Sequence, residues 1–254
     1  MTIDLQKGII YGPVKSRRLG RSLGLNLLAD DYKLCSFNCA YCQYGWTQKL
    51  TTEADGCVSD FPSVADIINA LRERIATNPD FDCVTFSGNG EPTMHPEFPQ
   101  IVEAVKQIRD QWLPKVRLAL LSNSATCDVP KIREAIEKID LPIMKLDVGN
   151  EMMFKKINHG APPLTLQQIV DSLKSLKRIV IQTMFVSGRR VNNSSEWEVR
   201  SWMHRLEELQ PLWVQIYSLD RGAANDKLEK VSRERLDEIA RKVAETTGLK
   251  VEVF

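Results

Sequence analysis

Residues 34–48 read Leu34-Cys35-Ser36-Phe37-Asn38-Cys39-Ala40-Tyr41-Cys42-Gln43-Tyr44-Gly45-Trp46-Thr47-Gln48, the longest run without Asp, Glu, Lys or Arg in the 254 residues. Three of the six cysteines fall inside it at Cys-x3-Cys-x2-Cys spacing, while Cys57, Cys83 and Cys127 are scattered. Thiols clustered this way point to metal or redox chemistry rather than to a disulfide framework. Three thiolates close a four-coordinate zinc site only with a distant fourth ligand, drawn from His95, His159, His204 or a lone cysteine. A [4Fe–4S] cluster takes one thiolate per iron, so three thiolates leave one iron with an open position. On the motif alone both readings stand. Cys83 opens the apolar run Cys83-Val84-Thr85-Phe86 and reads as a small buried hydrophobe. Cys57 and Cys127 fall in loops, and isolated thiols there carry no assigned role.

Outside the run, short β-like segments alternate with amphipathic helices. The strand candidates are Leu23–Leu28, Val84–Ser87, Val116–Leu121, Ile143–Asp147, Ile179–Phe185 and Trp213–Ser218. Between them, helical stripes run through Val64, Ile67, Ile68, Leu71 and Ile75, with Ser63 as N-cap, then Phe98, Ile101, Val102, Val105 and Ile108. Further stripes start at Leu166, Trp202 and Leu236, and Val251 and Val253 alternate as an edge strand. Strands separated by helices of this length predict right-handed βαβ units around a parallel sheet. Six units make an α/β, open, partial (β/α)6 barrel rather than a closed eight-stranded one. No linker or repeat divides the chain. The expectation is therefore one domain over residues 1–254, with 1–30 a basic lead-in and first strand. Chemistry in such folds sits at the carboxyl ends of the strands.

Composition narrows the class. The chain is 43% hydrophobic and 26% charged, enough for a sizeable core. The 34 Lys and Arg against 33 Asp and Glu exclude a whole-protein basic field for nucleic acid or anionic membrane. A spanning helix needs about 18–20 apolar residues, and none is present. Met1-Thr2-Ile3-Asp4 lacks the charged-then-apolar pattern of a signal peptide. A cytoplasmic chain with no membrane partner is expected.

The loop after the second strand candidate reads Ser87-Gly88-Asn89-Gly90-Glu91-Pro92-Thr93. Its two glycines let backbone approach a ligand closely, and it offers Glu91 at a strand end. Together with the cysteine loop one strand earlier, it resembles the signature of the radical S-adenosylmethionine (SAM) enzymes, whose core is a partial (β/α)6 barrel. Finer features resemble the wyosine-synthase-like iron–sulfur oxidoreductase branch. These are Tyr11-Gly12-Pro13-Val14-Lys15-Ser16-Arg17-Arg18-Leu19-Gly20, Cys42-Gln43-Tyr44-Gly45, Lys145-Leu146-Asp147 and Ile181-Gln182-Thr183.

That resemblance implies two cofactors, a [4Fe–4S] cluster and SAM. Cys35, Cys39 and Cys42 would hold three irons and the fourth would chelate SAM. Reductive cleavage would give a 5′-deoxyadenosyl radical that abstracts hydrogen from a substrate, with a flavodoxin or ferredoxin as electron donor. Glu91, with backbone from Ser87, Gly88, Asn89 and Gly90, would hold the methionine ammonium. Tyr41 would pack beside adenine or cover the cluster. Ser122 and Asn123 would meet the SAM carboxylate or ribose, or cap a turn. Gln182 would touch ribose, and Tyr217 and Leu219 would offer surface to adenine or belong to the core.

Lys145 and Asp147 stand two apart on a strand and face one side, as a substrate-handling pair or an interior salt bridge. His95 reads as a helix-entry residue. From Leu5 to Ala29 there are five basic residues, Lys7, Lys15, Arg17, Arg18 and Arg21, and no acid. Such a run binds phosphates or pairs with acids elsewhere. Tyr44 and Trp46 flank the cysteine loop, to stack a base or to shield the cluster. The substrate, whether RNA, peptide or small metabolite, is left open. Wyosine-type tRNA modification and activation of a glycyl-radical enzyme are the enzymatic alternatives. The wyosine-type enzymes are expected to draw a second cluster from cysteines ahead of the main loop, and none precedes Cys35. The Ser122-Asn123-Ser124 loop is unlike the usual activase pattern. A non-enzymatic zinc or iron–sulfur redox module is the remaining reading.

Overall fold

The computed structural model describes residues 2–254; Met1, at the head of the amino-terminal stretch read above, lies outside the described residues. Strands β1 (Ile10–Ser16) and β2 (Gly20–Asn26) form an antiparallel hairpin. The two-residue strands β3 (Leu34–Cys35) and β4 (Lys49–Leu50) pair in parallel and bracket the cysteine loop. Next come α1 (Val64–Thr77), β5 (Cys83–Ser87), α2 (Phe98–Trp112), β6 (Arg117–Ser122), α3 (Pro130–Ile136) and β7 (Leu141–Lys145). Two helices follow, α4 (Glu151–Ile157) and α5 (Leu166–Lys174), before β8 (Val180–Met184) and the short β9 (Val186–Ser187). The chain closes with α6 (Glu196–Leu209), β10 (Trp213–Tyr217), β11 (Glu229–Lys230), α7 (Arg233–Thr247) and β12 (Val251–Val253).

The main sheet runs β1-β2-β5-β6-β7-β8-β10-β12, parallel from β2 onward. The six strand candidates read from sequence correspond to β2, β5, β6, β7, β8 and β10, with ends shifted by up to three residues, and Val251–Val253 is the expected edge strand. Ser63 caps α1 as expected. Its hydroxyl accepts from the Asp66 N–H while the Asp66 carboxylate accepts from the Ser63 N–H, satisfying two end donors at once. Among the described residues no helix is long and apolar enough to cross a membrane.

Period-two alternation sorts the strand side chains. Val84, Phe86, Leu118, Leu120, Met144, Ile181 and Ile216 pack outward into one large apolar cluster with the helices. Cys83, Ala119, Ile143 and Val180 form a smaller inward cluster at the amino ends of the strands. Two residues further along, the inward positions become polar on β5, β7, β8 and β10, at Thr85, Lys145, Gln182 and Gln215, while β6 keeps Leu121. The barrel is therefore sealed with hydrocarbon at one end and polar at the other.

The lead-in contains a strand that the sequence reading did not predict. Gly12-Pro13 breaks the alternation of β1, and the register shifts between Tyr11 and Val14. A proline is tolerated there because β1 is an edge. The hairpin tip then reaches across the open side of the barrel. Arg17 pairs with Asp220, Arg18 lies over the rings of Tyr217 and Phe254, and Leu19 joins the inward apolar cluster. The tip thus joins the β1 edge of the sheet to its β10–β12 edge.

Candidate functional site

The cysteine loop is shaped mostly by distant backbone. Asn38 N–H donates to the Asn158 carbonyl at 2.9 Å, Ala40 N–H to that of Ile157 at 2.8 Å, and Ala161 N–H to that of Ser36 at 2.8 Å. Within the loop, Thr47 N–H donates to Asn38 Oδ1 at 2.7 Å and Lys33 Nζ to the Gly45 carbonyl at 2.9 Å. All six cysteines are free. Two of the loop sulfurs face amide donors: Asn123 Nδ2 reaches Cys35 Sγ at 3.4 Å and Asn158 Nδ2 reaches Cys39 Sγ at 3.7 Å. Burial, with Glu91 and Cys39 nearby, pushes the Cys35 thiol up to about 12. Burial, with Asp147 and Cys42 nearby, pushes Cys39 up to about 11. Among the described residues no three His, Cys, Asp or Glu side chains converge closely enough to hold a single metal ion.

The Gly88–Thr93 loop lies directly beneath. Gly90 makes a parallel bridge to Leu34, with Leu34 N–H donating to the Asn89 carbonyl and Glu91 N–H to the Leu34 carbonyl, each at 3.2 Å. A Cβ on Gly90 would sit 1.6 Å from the Leu34 oxygen, and its φ is +148°. The close approach expected of this glycine is therefore to the chain's own backbone, just ahead of Cys35. Glu91 is buried: Oε1 accepts from Thr93 N–H at 3.2 Å and Thr93 Oγ1 at 2.6 Å, and Oε2 accepts from Asn123 N–H at 2.6 Å. Burial raises its pKa, and the donors from Thr93 and Asn123 oppose that. Asn123 also donates to Ser36 Oγ at 2.8 Å, so one asparagine ties the β6 end to both the glutamate and the cysteine loops. Ser122 is buried and its hydroxyl accepts from Ser124 N–H at 3.0 Å. Asn89 is spent on the protein itself, donating to the Gln6 and Ala29 carbonyls and accepting from Gln6 N–H. Ser87 Oγ lies 2.5 Å from the Tyr11 hydroxyl.

Inside the barrel, Asp147 collects four donors: the Tyr41 hydroxyl, Asn158 Nδ2 at 2.7 Å, Met184 N–H at 2.8 Å and Lys145 Nζ at 3.2 Å. Lys145 also donates to the Tyr217 hydroxyl at 3.0 Å, which donates to Gln182 Oε1 at 3.1 Å. Gln182 in turn donates to Gln215 Oε1 at 3.3 Å. Burial works against the Lys145 charge, but Asp147 and Tyr217 outweigh it and hold the ammonium above the ordinary lysine range. This chain of contacts runs from the Cys39 sulfur, through Asn158, Asp147 and Lys145, to Tyr217. Tyr41, Ser87, Tyr217 and Leu219 line a cavity of about 330 Å³ between the loop and the hairpin.

The structure thus gathers Cys35, Tyr41, Glu91, Asn123, Lys145, Asp147, Gln182 and Tyr217 around one end of the barrel. His95 is buried at the entry to α2, between the Pro62 carbonyl and the Glu97 N–H, in line with a helix-entry residue. Trp46 is 44% exposed and stacks on His159 at 5.8 Å. Cys127 is fully buried, and Cys57 sits in a 3₁₀ turn (Asp55–Asp60) rather than an open loop. Most of the amino-terminal basic run is paired: Arg17 with Asp220, Arg21 with Asp80 and Asp82, and Lys7 with the Asp30 carbonyl. Asn158 was missed from sequence. Its neighbour His159 enters only as a possible zinc ligand, and the importance of Asn158 exists only through contacts with Cys39 and Asp147.

The family model described as "Radical SAM superfamily" matches residues 31–203. The chain is 27% identical over 96% of its length to "GTPase Obg" of Brachyspira hyodysenteriae, covering 35% of that protein. It is 31% identical over 80% of its length to a UPF0026 protein of Methanocaldococcus jannaschii, covering 61% of it. The chain thus spans about a third of the length of the first of these relatives and about three fifths of the second. Among solved structures, SuiB of Streptococcus suis bound to S-adenosylmethionine aligns over 88% of this chain and 48% of its own, with TM-score 0.63 and 12% identity. TYW1 with a lysine-pyruvate adduct aligns over 91% of this chain and 75% of its own, with TM-score 0.57 and 17% identity. At these identities the likeness is one of fold.

Proposed function

The chain belongs to the radical SAM superfamily, and from that premise we propose that Cys35, Cys39 and Cys42 hold three irons of a [4Fe–4S] cluster. Proteins of this family use such a cluster with SAM and require a reductant and a substrate. The donor set fits: the cysteines are free, and amides of Asn123 and Asn158 point at two of the sulfurs, the kind of contact that tunes cluster sulfurs. Three thiolates, one per iron, would leave a fourth iron open for SAM, whereas tetrahedral zinc would need a fourth protein ligand. When bound, the cluster and SAM supply an electron to the sulfonium and a 5′-deoxyadenosyl radical that abstracts hydrogen from the substrate.

The observation that carries this reading is the junction at Asn123, which binds the cysteine loop, the glutamate loop and the β6 end into one unit. Glu91, held in place by Thr93 and Asn123, would meet the methionine ammonium, beside backbone from Gly88 to Gly90. Ser122 and Asn123 would meet the SAM carboxylate or ribose, and Gln182 the ribose. Tyr41, Tyr217 and Leu219 would flank adenine, while Ser87 and Asn89 brace the loop. A flavodoxin- or ferredoxin-type protein would supply the electron.

Lys145 and Asp147 would handle substrate. The ammonium, paired with Asp147 and donating to Tyr217, stays charged, so Lys145 suits an anchor rather than an amine nucleophile. The adduct named for TYW1 is therefore not carried over to it.

Anaerobic reconstitution with iron and sulfide, reduction with SAM and assay of 5′-deoxyadenosine test the reading, with Cys39→Ala as control. Deoxyadenosine from the wild type alone is expected. One zinc, or an unreactive cluster held by four ligands, would overturn the reading in favour of a binding module.

A further inference from the structure

Arg18 stands out among the basic residues of the hairpin. Its guanidinium carbon lies 4.5 Å from the Tyr217 ring centroid and 5.9 Å from that of Phe254. Nη1 is buried with no hydrogen-bond partner. The cavity it lines carries four basic side chains, Lys15, Arg17, Arg18 and Arg221, and one carboxylate, Asp220. Asp220 is already taken by Arg17 and Lys230. Lys145 Nζ lies 5.0 Å from the same Tyr217 ring, and its charge is matched by Asp147. Two cations therefore share one aromatic ring, and only Lys145 has a counter-charge. A half-buried guanidinium with no acceptor is unfavourable unless an anion arrives to compensate it. A planar guanidinium on a ring face is also held ready for a bidentate oxyanion.

We propose that Arg18 is the anchor for an anionic group, a carboxylate or a phosphate, of a small-molecule substrate held in the cavity between the hairpin tip and the β10 end. The proposal rests on the radical SAM reading in taking this cavity, whose Tyr41, Tyr217 and Leu219 would flank adenine, as the chamber where substrate meets SAM. Glu91 and Asn123, which serve SAM in that reading, pack against the cysteine loop, whereas Arg18 contacts the β10 and β12 ends. A cavity of about 330 Å³ is in the range of small-molecule sites. An RNA would instead meet several phosphates at once, and Arg17 and Arg21 are already paired with acids.

The test is calorimetric titration of the cluster-loaded protein, with SAM present, using pyrophosphate in one arm and malonate in the other. One site is expected for at least one probe, and the tighter arm tells phosphate from carboxylate. Arg18→Gln should weaken it at least about tenfold, in keeping with the loss of a charge-assisted pair. Arg18→Lys should fall between, and Arg190→Gln, the same charge loss at an exposed loop, should leave binding unchanged. Equal affinity in wild type and Arg18→Gln would overturn the proposal, as would failure of both probes to bind. Binding seen only without SAM would mean that the site serves SAM's own carboxylate, and would also overturn it. Displacement by a short oligonucleotide whose affinity falls steeply between about 50 and 200 mM salt would replace the small molecule with RNA. Deoxyadenosine assayed on the same wild-type batch separates the two ideas: its absence refutes the radical reading and leaves the titration result standing.

Discussion

Substituting Gly90 by alanine tests whether the glutamate loop is built to hold the cysteine loop. The new Cβ would meet the Leu34 carbonyl oxygen at 1.6 Å, so that oxygen must retreat by about 1.4 Å to reach even 3.0 Å. The Glu91 N–H to Leu34 carbonyl bond, already 3.2 Å, would be lost, and the neighbouring Leu34 N–H to Asn89 bond strained with it. An alanine at positive φ costs about 1–2 kcal/mol. Two buried backbone bonds add about 0.5–1.5 kcal/mol each, giving a total of about 2–5 kcal/mol. Gly248 is the control. It too has positive φ, +72°, but nothing lies within 4 Å of its Cβ position, so Gly248→Ala carries only the conformational cost. Urea denaturation of both variants, with wild type as reference, reads the difference, and iron bound after reconstitution reads its reach into the cysteine loop. Equal destabilisation by the two substitutions, or Gly90→Ala with undiminished iron, would refute the reasoning.

Three other outcomes are expected. Asp147→Asn strips Lys145 of its counter-charge inside the barrel and should cost about 3–5 kcal/mol, while Lys145→Met/Asp147→Asn recovers much of that in a double-mutant cycle measured by urea denaturation. Asn123→Ala removes the tie between the cysteine and glutamate loops, and should weaken SAM binding by calorimetry more than Asn89→Ala, whose contacts lie toward Gln6 and Ala29. For His95, burial lowers the pKa below the 6.5 of the unfolded chain despite the Pro62 carbonyl. The unfolded state then binds more protons between the two values, so stability rises with pH across that window and is lost as pH falls from about 6.5. His95→Gln should flatten that slope in unfolding curves taken from pH 5 to 7.5.

What could be read from sequence, and what could not, follows from how each feature is encoded. Six parallel strands and five of the helices show as periodic stripes, because each buries one face over more than two turns or the length of a strand. Helices α3 and α4 escaped notice, having seven residues each and so too few repeats to establish a period. Strand β1 escaped because its side chains mostly face solvent and Gly12-Pro13 interrupts it. The cysteines and Glu91 were legible as motifs, since spacing within one loop is local. Asn123 was picked as a SAM contact, but its junction with Ser36 and Glu91 depends on contacts between residues about ninety and thirty apart in sequence. For Arg18 the signals were a place in the Tyr11–Gly20 stretch and membership of a basic run. Its difference from Arg17 and Arg21 lies in which acids the fold brings near, and sequence carries no trace of that.

The backbone bonds that shape the cysteine loop also set an order of events. Asn38 and Ala40 lean on residues 157 and 158, and the Ala40 carbonyl accepts from the Asn225 N–H at 2.8 Å. A ribosome adding about 5–20 residues per second needs roughly 10–40 s after making Asn38 to reach Asn225. Through that interval the three thiols lack the walls that later enclose them, and they are open to oxidants and stray metal. The enclosed loop in which iron would sit therefore takes shape only after residue 225 has been made, and reducing conditions matter most before then.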